Sequence, residues 1–456
     1  MSPTETFRRG LRLSTYQQHQ GGYWPTVRLA LLCGAIAFIA VAFPIASYAA
    51  DGESPPTIES LGKINPALPK IPDRTFNVRD FGATGDGKTL DTEAFQKALA
   101  KVKAEGGGKL VVPQGTYLIL PIELCSNLDL HLEEGAVLQA PSTFSEYGLP
   151  EPETLSSQEE VAAKVKVPQP LVYGKDLHDV AITGTGTIDG AGATWWAWSE
   201  RAMRAQPGRL VYPRPKMVVI EGCERLHVSG VTLRNSPMFH LVPKKVSDLV
   251  IEDVKLRAPA NGPNTDAIDP GDCNNVLICH CDIDVGDDDI VIKAGGHDIL
   301  IEDNAIHHGH GISIGSETAN GIHDMLVRRC TFENADNGIR IKSMKGAGGL
   351  VERIYYQDIQ MKNVKDAILL DLMYVDNNRP NFKGDPNKIP KIKDVEIKNV
   401  TIENSRNAGR LRGLPESPIA GVVLRDVTIS ADNDFVQVNA DDIKFENVTR
   451  NIKKKD

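Results

Sequence analysis

Six side chains able to move protons or hold charge recur at near-regular intervals in this 456-residue chain. Asn264-Thr265-Asp266 is followed by the pair Asp287 and Asp288, then by His310, then by Arg340 and Lys342. Each step covers roughly 20–30 residues, the length of one turn of a repetitive stack. Carboxyl groups beside an imidazole and two cations are the parts that cleavage of a glycosidic bond needs. One carboxyl group must stay protonated to give a proton to the leaving oxygen, and a second must stay ionised to activate water or attack carbon. Carboxylates crowded together repel one another, so one pKa rises, and an acid and a base can coexist near neutral pH. His310 can tune that proton balance. Arg340 and Lys342 are two apart on a strand, share its face, and can pair with a carboxylate on a substrate.

Plainer explanations account for part of this set. An Asp at a tight corner often does no more than complete the turn, which suffices for Asp272 and Asp303, and Asp266 taken alone reads the same way. The run Gly286-Asp287-Asp288-Asp289 is harder to explain so, because turns need one acid and adjacent acids repel. Calcium binding is the sharper rival, since clustered carboxylates suit a hard cation. His310, Arg340 and Lys342 nearby argue against a cation. Cys279-His280-Cys281 resembles a metal cluster at first sight, but positions i and i+2 of a strand share a face and no zinc-type CxxC pair exists, so both cysteines are assigned to the core.

The elements that must position these groups show a repeat. From residue 226 a motif recurs of one apolar residue, two polar, one apolar, one polar and one apolar. It reads Val228-Ser-Gly-Val231-Thr-Leu233, then Ile251-Glu-Asp-Val254-Lys-Leu256, Ile278-Cys-His-Cys281-Asp-Ile283 and Ile301-Glu-Asp-Asn304-Ala-Ile306. It continues from Val327, Tyr356, Ile397, Leu424 and Phe445. Successive starts fall in the twenties apart, save for one longer step before Ile397, and such a period denotes a solenoid. The leucine frame of leucine-rich repeats is absent. Val, Ile and Thr fill the segments and Gly, Asn and Asp punctuate them, as short strands joined by tight corners require. The fold is therefore an all-β parallel β-helix whose coils stack about 4.8 Å apart, so residues one coil apart in sequence become neighbours. Leu128 to Leu132 and Val180 to Ile182 extend the stack toward the N-terminus. A helix with apolar positions Phe95, Leu99 and Val102, capped by Asp91 and ended by Gly106-Gly107-Gly108, covers its open end. The long step before Ile397 holds an inserted loop, 376–391, placed beside the groove.

The chain opens with Arg8, Arg9, Arg12 and Arg28 ahead of an apolar run from Leu29 to Phe43, and Ser47 and Ala49 mark a cleavage site for a secretory signal. The run is short for a membrane anchor. Residues 1–49 are read as a signal peptide, 50–73 as a linker or N-terminal arm and 74–450 as the β-helix. The mature chain would carry 47 basic and 59 acidic residues, a net charge of −12 against −9 for the whole. That excludes nucleic acid as a natural partner. The six cysteines left, Cys125, Cys223, Cys273, Cys279, Cys281 and Cys330, permit disulfides, but a chain of this length does not depend on them. The expected product is a secreted or periplasmic monomer with no stable membrane association.

Taken together, Asn264-Thr265-Asp266, Gly286-Asp287-Asp288, Gly309-His310-Gly311 with Ser313-Ile314-Gly315-Ser316, and Arg340-Ile341-Lys342 resemble, in order, the motifs of the polygalacturonases, family 28 of the glycoside hydrolases. Thr187-Ile188-Asp189-Gly190, Trp195-Trp196 and Leu233-Arg234-Asn235-Ser236-Pro237 look like segments of bacterial members. The resemblance covers about residues 74–450. It implies a right-handed β-helix and hydrolysis, with inversion, of α-1,4-galacturonosyl bonds in pectic polysaccharide, without metal or organic cofactor. It further implies Asp287 as general acid, Asp266 and Asp288 as the groups that hold and activate water, and His310 as support for the acid. Asn264, Arg340, Lys342 and, more loosely, Tyr374 are the implied substrate-binding residues. Ala267, Asp289 and Ala294 depart from the family's usual glycine, cysteine and serine, and Asp289 adds charge beside the catalytic pair. A related pectic backbone such as rhamnogalacturonan or xylogalacturonan is an alternative substrate. A calcium-dependent pectate lyase and a non-catalytic polysaccharide-binding solenoid are the competing classes; the low aromatic content, 6%, speaks against the second. The segment 141–170, weak in strand character, is expected to close one end of the cleft and favour exo action.

Overall fold

The computed structural model describes residues 55–375 and 382–453. The signal peptide expected at 1–49 and the start of the inserted loop lie outside the described residues. Within them, twenty-seven strands form one parallel system that winds as a right-handed β-helix, from Thr75–Asn77 to Ile443–Ile452. The repeat read from sequence is the physical repeat. Val228, Ile251, Ile278, Ile301, Val327, Tyr356, Ile397, Leu424 and Phe445 stand in one column, each paired with the next. All but Phe445 are buried in the lumen, where each such side chain contributes roughly 1.5–3 kcal/mol.

The two polar residues inside each motif also have a cause. The second of them is the corner where one strand turns into the next, and its backbone is left-handed in every coil. Gly184, Gly230, Asp253, His280, Asp303, Arg329, Asp358, Asn399, Asp426 and Asn447 all have φ between 52° and 100° there. Only Gly, and after it Asn and Asp, enters this region at little cost, which is why those types punctuate the sequence. The corner side chains also tie coils together, as where Asn399 Nδ2 donates to Asp358 Oδ1 at 2.5 Å and Asn447 Nδ2 to Asp426 Oδ1 at 2.6 Å. His280 is thus a corner residue, while Cys279 and Cys281 are buried beside it. All six described cysteines are buried thiols.

The capping helix spans Thr92–Ala104 and buries Phe95, Leu99 and Val102, with Phe95 edge-on to Tyr117 at 5.7 Å. Asp91 does not cap it with its side chain, contrary to expectation. Its carboxylate instead accepts from the backbone N–H groups of Thr84 and Gly85 at 2.7 and 3.0 Å, because the turn before the helix points more donors at it than the helix does. In the N-terminal arm, a helical turn, Ile58–Leu61, seats Leu61 against Leu300 and Leu326 on the outside of the stack.

The segment 141–170 is neither coil nor free loop. It carries the short helix Gln158–Lys164 and joins residues 193–212 in a satellite core of Phe144, Leu155, Val161, Val165, Trp195 and Tyr212. Phe144 packs against Trp195 and Tyr212, both at 4.7 Å. Trp196 donates from Nε1 to the Ser236 carbonyl. The aromatic motif read as a family signature therefore fastens this outer layer to the stack.

Candidate active site

Stacking brings together the residues that the spacing singled out. Ile268, Ile290, Ile312 and Ile339 form a lumen column, each paired with the next. Asp266, Asp288 and His310 each stand two residues before a member of that column, so they share one edge of three successive coils. Backbone bonds pin the edge: Ala267 N donates to the Asp288 carbonyl at 2.9 Å and His310 N to the Asp287 carbonyl at 2.8 Å. Arg340 and Lys342 do not continue that edge. Arg340 pairs with Ser313, three residues beyond His310, and both cations reach back over a coil to one carboxylate. Arg340 Nη1 and Lys342 Nζ each lie 2.6 Å from Asp288, one on each oxygen, and Ser313 Oγ donates to Oδ1 at 3.1 Å. The cations expected to face a substrate anion thus hold an internal one, although Arg340 Nε has no hydrogen-bond partner among the described residues.

The three carboxyl groups sit in different surroundings. Burial would raise Asp288, but the charges of Lys342 and Arg340 outweigh it and hold its pKa far below the usual carboxylate range. For Asp287 burial is again opposed, here by the hydrogen bond and charge of His310, and the net shift is downward. His310 Nδ1 lies 3.1 Å from Asp287 Oδ1. Asp266 is raised well above the ordinary value by burial, only partly countered by Lys293. Side-chain exposure is 15% for Asp287 and 3–4% for Asp288 and Asp266, so Asp287 is the carboxyl group that a bound polymer meets first.

Several members of the site were missed in the sequence. Lys293 Nζ bridges Asp266 and Asp269 at 3.0 and 2.7 Å, and burial pushes Asp269 up to about 6. The signal was available, since Lys293 stands one coil after Asp269, on the strand Ile290–Glu302. Buried Arg214 donates to Asn264 Oδ1 at 2.7 Å and to the carbonyls of Pro237 and Pro263. Asn264 therefore presents its amide and not its carbonyl oxygen to the cleft. His240, pushed down to about 4 by burial, braces the Asp266 carbonyl through Nδ1 at 3.1 Å. Arg201, on the layer outside the stack, approaches Asp287 to 4.0 Å. No local spacing pointed to it.

Two glycines show why the His310 motif is so strict. A Cβ at Gly309 would lie 2.6 Å from the Asp287 carbonyl and the Asp289 carboxylate, and one at Gly311 would lie 2.2 Å from the Asn337 carbonyl. Asp289 itself is fully buried and absent from the cleft lining. Its Oδ2 accepts from Gly311 N at 2.8 Å, its Oδ1 has no partner among the described residues, and burial raises its pKa well above normal. Ala267 avoids the left-handed region, so it needs no glycine, whereas Ala294 occupies it at φ 66°.

The cleft, about 430 Å³, is lined by Asn264, Asp266, Asp287, Asp288, His310, Arg340, Lys342 and Tyr374, and by Glu200, Arg201 and Arg204 of the outer layer. The Tyr374 ring lies 5.9 and 5.5 Å from the charged ends of Arg340 and Lys342. Asp287, Asp288 and His310 could converge on a cation, but two fixed cations already occupy Asp288. The family model for glycosyl hydrolases family 28 matches residues 109–444, and a rhamnogalacturonase A/epimerase, pectate lyase-like model matches 75–132. This chain belongs to glycosyl hydrolase family 28. It is 34% identical to a "Probable polygalacturonase" of Vitis vinifera over 77% of this chain and 73% of the relative. It is 31% identical to an exopolygalacturonase of Zea mays over 80% and 86%. Both of these relatives are plant proteins, so the narrower bacterial-type assignment is not supported. Among solved structures, the hyperthermoactive exopolygalacturonase of Thermotoga maritima superposes with a TM-score of 0.73 at 30% identity, covering 86% of this chain and 95% of that one. The polygalacturonase of Erwinia carotovora superposes with a TM-score of 0.67 at 26% identity over 85% and 98%. Family 28 membership makes the chain a glycoside hydrolase.

Proposed function

We propose that the cleft hydrolyses α-1,4-galacturonosyl bonds of pectin with inversion, Asp287 protonating the leaving oxygen while Asp266 and Asp288 orient and deprotonate a water. The single observation that carries this reading is the contrast between two adjacent carboxyl groups. Asp287 is open to the cleft with an imidazole on it, and Asp288 lies beneath it, held as an anion by Arg340 and Lys342. His310 Nδ1 stands 3.1 Å from Asp287 Oδ1, within hydrogen-bond reach of the carboxyl group that gives up the proton. A polymer carboxylate arriving at Arg340, Lys342 and Tyr374 draws positive charge away from Asp288 and adds negative charge beside Asp287. Both effects favour a protonated Asp287. The inverting outcome rests on family membership, as does the absence of a cofactor. Asn264 and Tyr374 are assigned to substrate contact through the Asn264 amide and the Tyr374 ring.

A second assignment has one observation in its favour. Asp266 has the raised pKa that a general acid needs, but it is almost closed to solvent and engaged by Lys293. Exo action is supported by the likeness to the Zea mays and Thermotoga maritima enzymes and by the outer layer bearing Glu200, Arg201 and Arg204 at the cleft. Export is inferred from the arginine-led apolar run alone. The decisive experiment is a timed digestion of de-esterified polygalacturonate in chelator, with products resolved by size and anomer. Saturated products released as the β-anomer support the proposal, and monomer alone from the start makes it exo-acting. Unsaturated ends that appear only with calcium would replace it with a lyase.

A further inference from the structure

Beside the catalytic cleft lies a second cavity of about 430 Å³, lined by Lys216, Lys244, Lys245 and Lys293 with Glu221, Asp269, Asp272 and Glu317. It shares Phe239, Lys293 and Glu317 with the cleft, so the two lie directly side by side. Most of its charges are accounted for within the protein. Lys293 bridges Asp266 and Asp269, Lys245 pairs with Glu221 at 3.8 Å, Asp272 accepts from Asn320 Nδ2 at 2.7 Å and Glu317 accepts from Ser316 Oγ. Lys216 and Lys244 differ. No carboxylate lies within ion-pair distance of either among the described residues. The Lys216 ammonium lies 4.9 Å from the centroid of the Phe239 ring, which also carries Lys293 at 4.3 Å. Burial and the like charges of Lys244 and Lys293 disfavour the charged form of Lys216, and the more distant Asp269 and Asp266 offset this only in part. Two lysines without a carboxylate partner, lining one cavity beside a cleft that takes a polyanion, are relieved by an anion placed against them.

We infer that Lys216 and Lys244 form a second subsite that binds the carboxylate of another galacturonate residue of the same polymer chain, on the side of the cleft bearing Phe239. The inference rests on the polygalacturonate reading and adds to it that a productive substrate carries at least two free carboxylates. One is read by Arg340, Lys342 and Tyr374 and one by Lys216 and Lys244. A methyl ester on the second removes the charge that this subsite reads.

The test uses the full chain carrying Asp287→Asn, so that ligand is bound without turnover. Binding of tetragalacturonate and of monogalacturonate is measured by calorimetry at several salt concentrations, with and without Lys216→Met and Lys244→Met together. Tetramer binding is expected to weaken about tenfold in the methionine pair and to lose part of its salt dependence. Monomer binding should be unaltered, and Lys216→Arg with Lys244→Arg should restore the tetramer. Both pairs must show the same cooperative thermal unfolding as the parent. Equal tetramer affinity with and without the methionines overturns the second subsite and leaves the polygalacturonate reading standing. A parent that neither binds tetramer nor, with Asp287 present, cleaves the polymer overturns both.

Discussion

At the scale of single residues the site separates proton donor from anion by what surrounds each carboxyl group. If Asp287 is the acid, Asp287→Asn lowers kcat on polygalacturonate by about 10²–10⁴-fold. An aryl galacturonide whose leaving group needs no proton recovers most of that loss. The same substrate does not rescue Asp266→Asn, and rescue of that variant instead would make Asp266 the donor. The depressed pKa of Asp288 has a sign that can be checked. Lys342→Met removes the largest charge lowering it, so its pKa rises and the acidic limb of the kcat/KM profile moves to higher pH. An unmoved limb would mean that Asp288 is not the base. Asp289 works in the opposite sense. Its folded pKa exceeds the unfolded value of about 3.9, so the native state binds more protons than the unfolded chain between the two. Stability is then lost as pH rises through that window. Asp289→Asn keeps an acceptor for Gly311 N and abolishes the charge. It should stabilise the protein by about 1–2 kcal/mol at pH 7 and much less at pH 4, read as the difference in Tm at the two values.

At the scale of the element, the corner decides what each coil tolerates. Asn399 has φ 52° and bonds to Asp358 in the coil before. Asn399→Val forces a β-branched residue into the left-handed region and is expected to destabilise by about 1–3 kcal/mol. Asn399→Gly accepts the backbone and loses only the side-chain bond, so it should fall well short of that; equal losses would refute the conformational argument. The motif made this position legible as polar, and its backbone explains why Gly, Asn and Asp dominate the column. The capping helix was equally legible from Phe95, Leu99 and Val102. The work of Asp91 was not, because the donors it satisfies belong to a preceding turn whose direction no spacing specifies.

At the scale of the whole molecule, a solenoid of stacked coils supplies the cleft, and the layer packed outside it adds charged side chains to the cleft lining. Residues 141–170 do not line the cleft. They buttress residues 193–212, which place Glu200, Arg201 and Arg204 there. Shortening 141–170 is expected to loosen that layer and change the distribution of product lengths in a timed digestion; an unchanged distribution would free it of any role in end recognition. The sequence by itself determined the coil period, the inward apolar columns, the corner types and the order of Asp266, Asp287, Asp288, His310, Arg340 and Lys342. These follow from local periodicity, which a stack of parallel coils repeats without alteration. Only the tertiary structure decided which cation meets which anion. Arg340 and Lys342 turn inward to Asp288, Lys293 bridges Asp266 to Asp269, and Arg201 arrives from outside the stack. Those pairings depend on side-chain reach between coils and on burial, which set charge states through desolvation and neighbouring charge, and neither quantity is written in the spacing of residues along the chain.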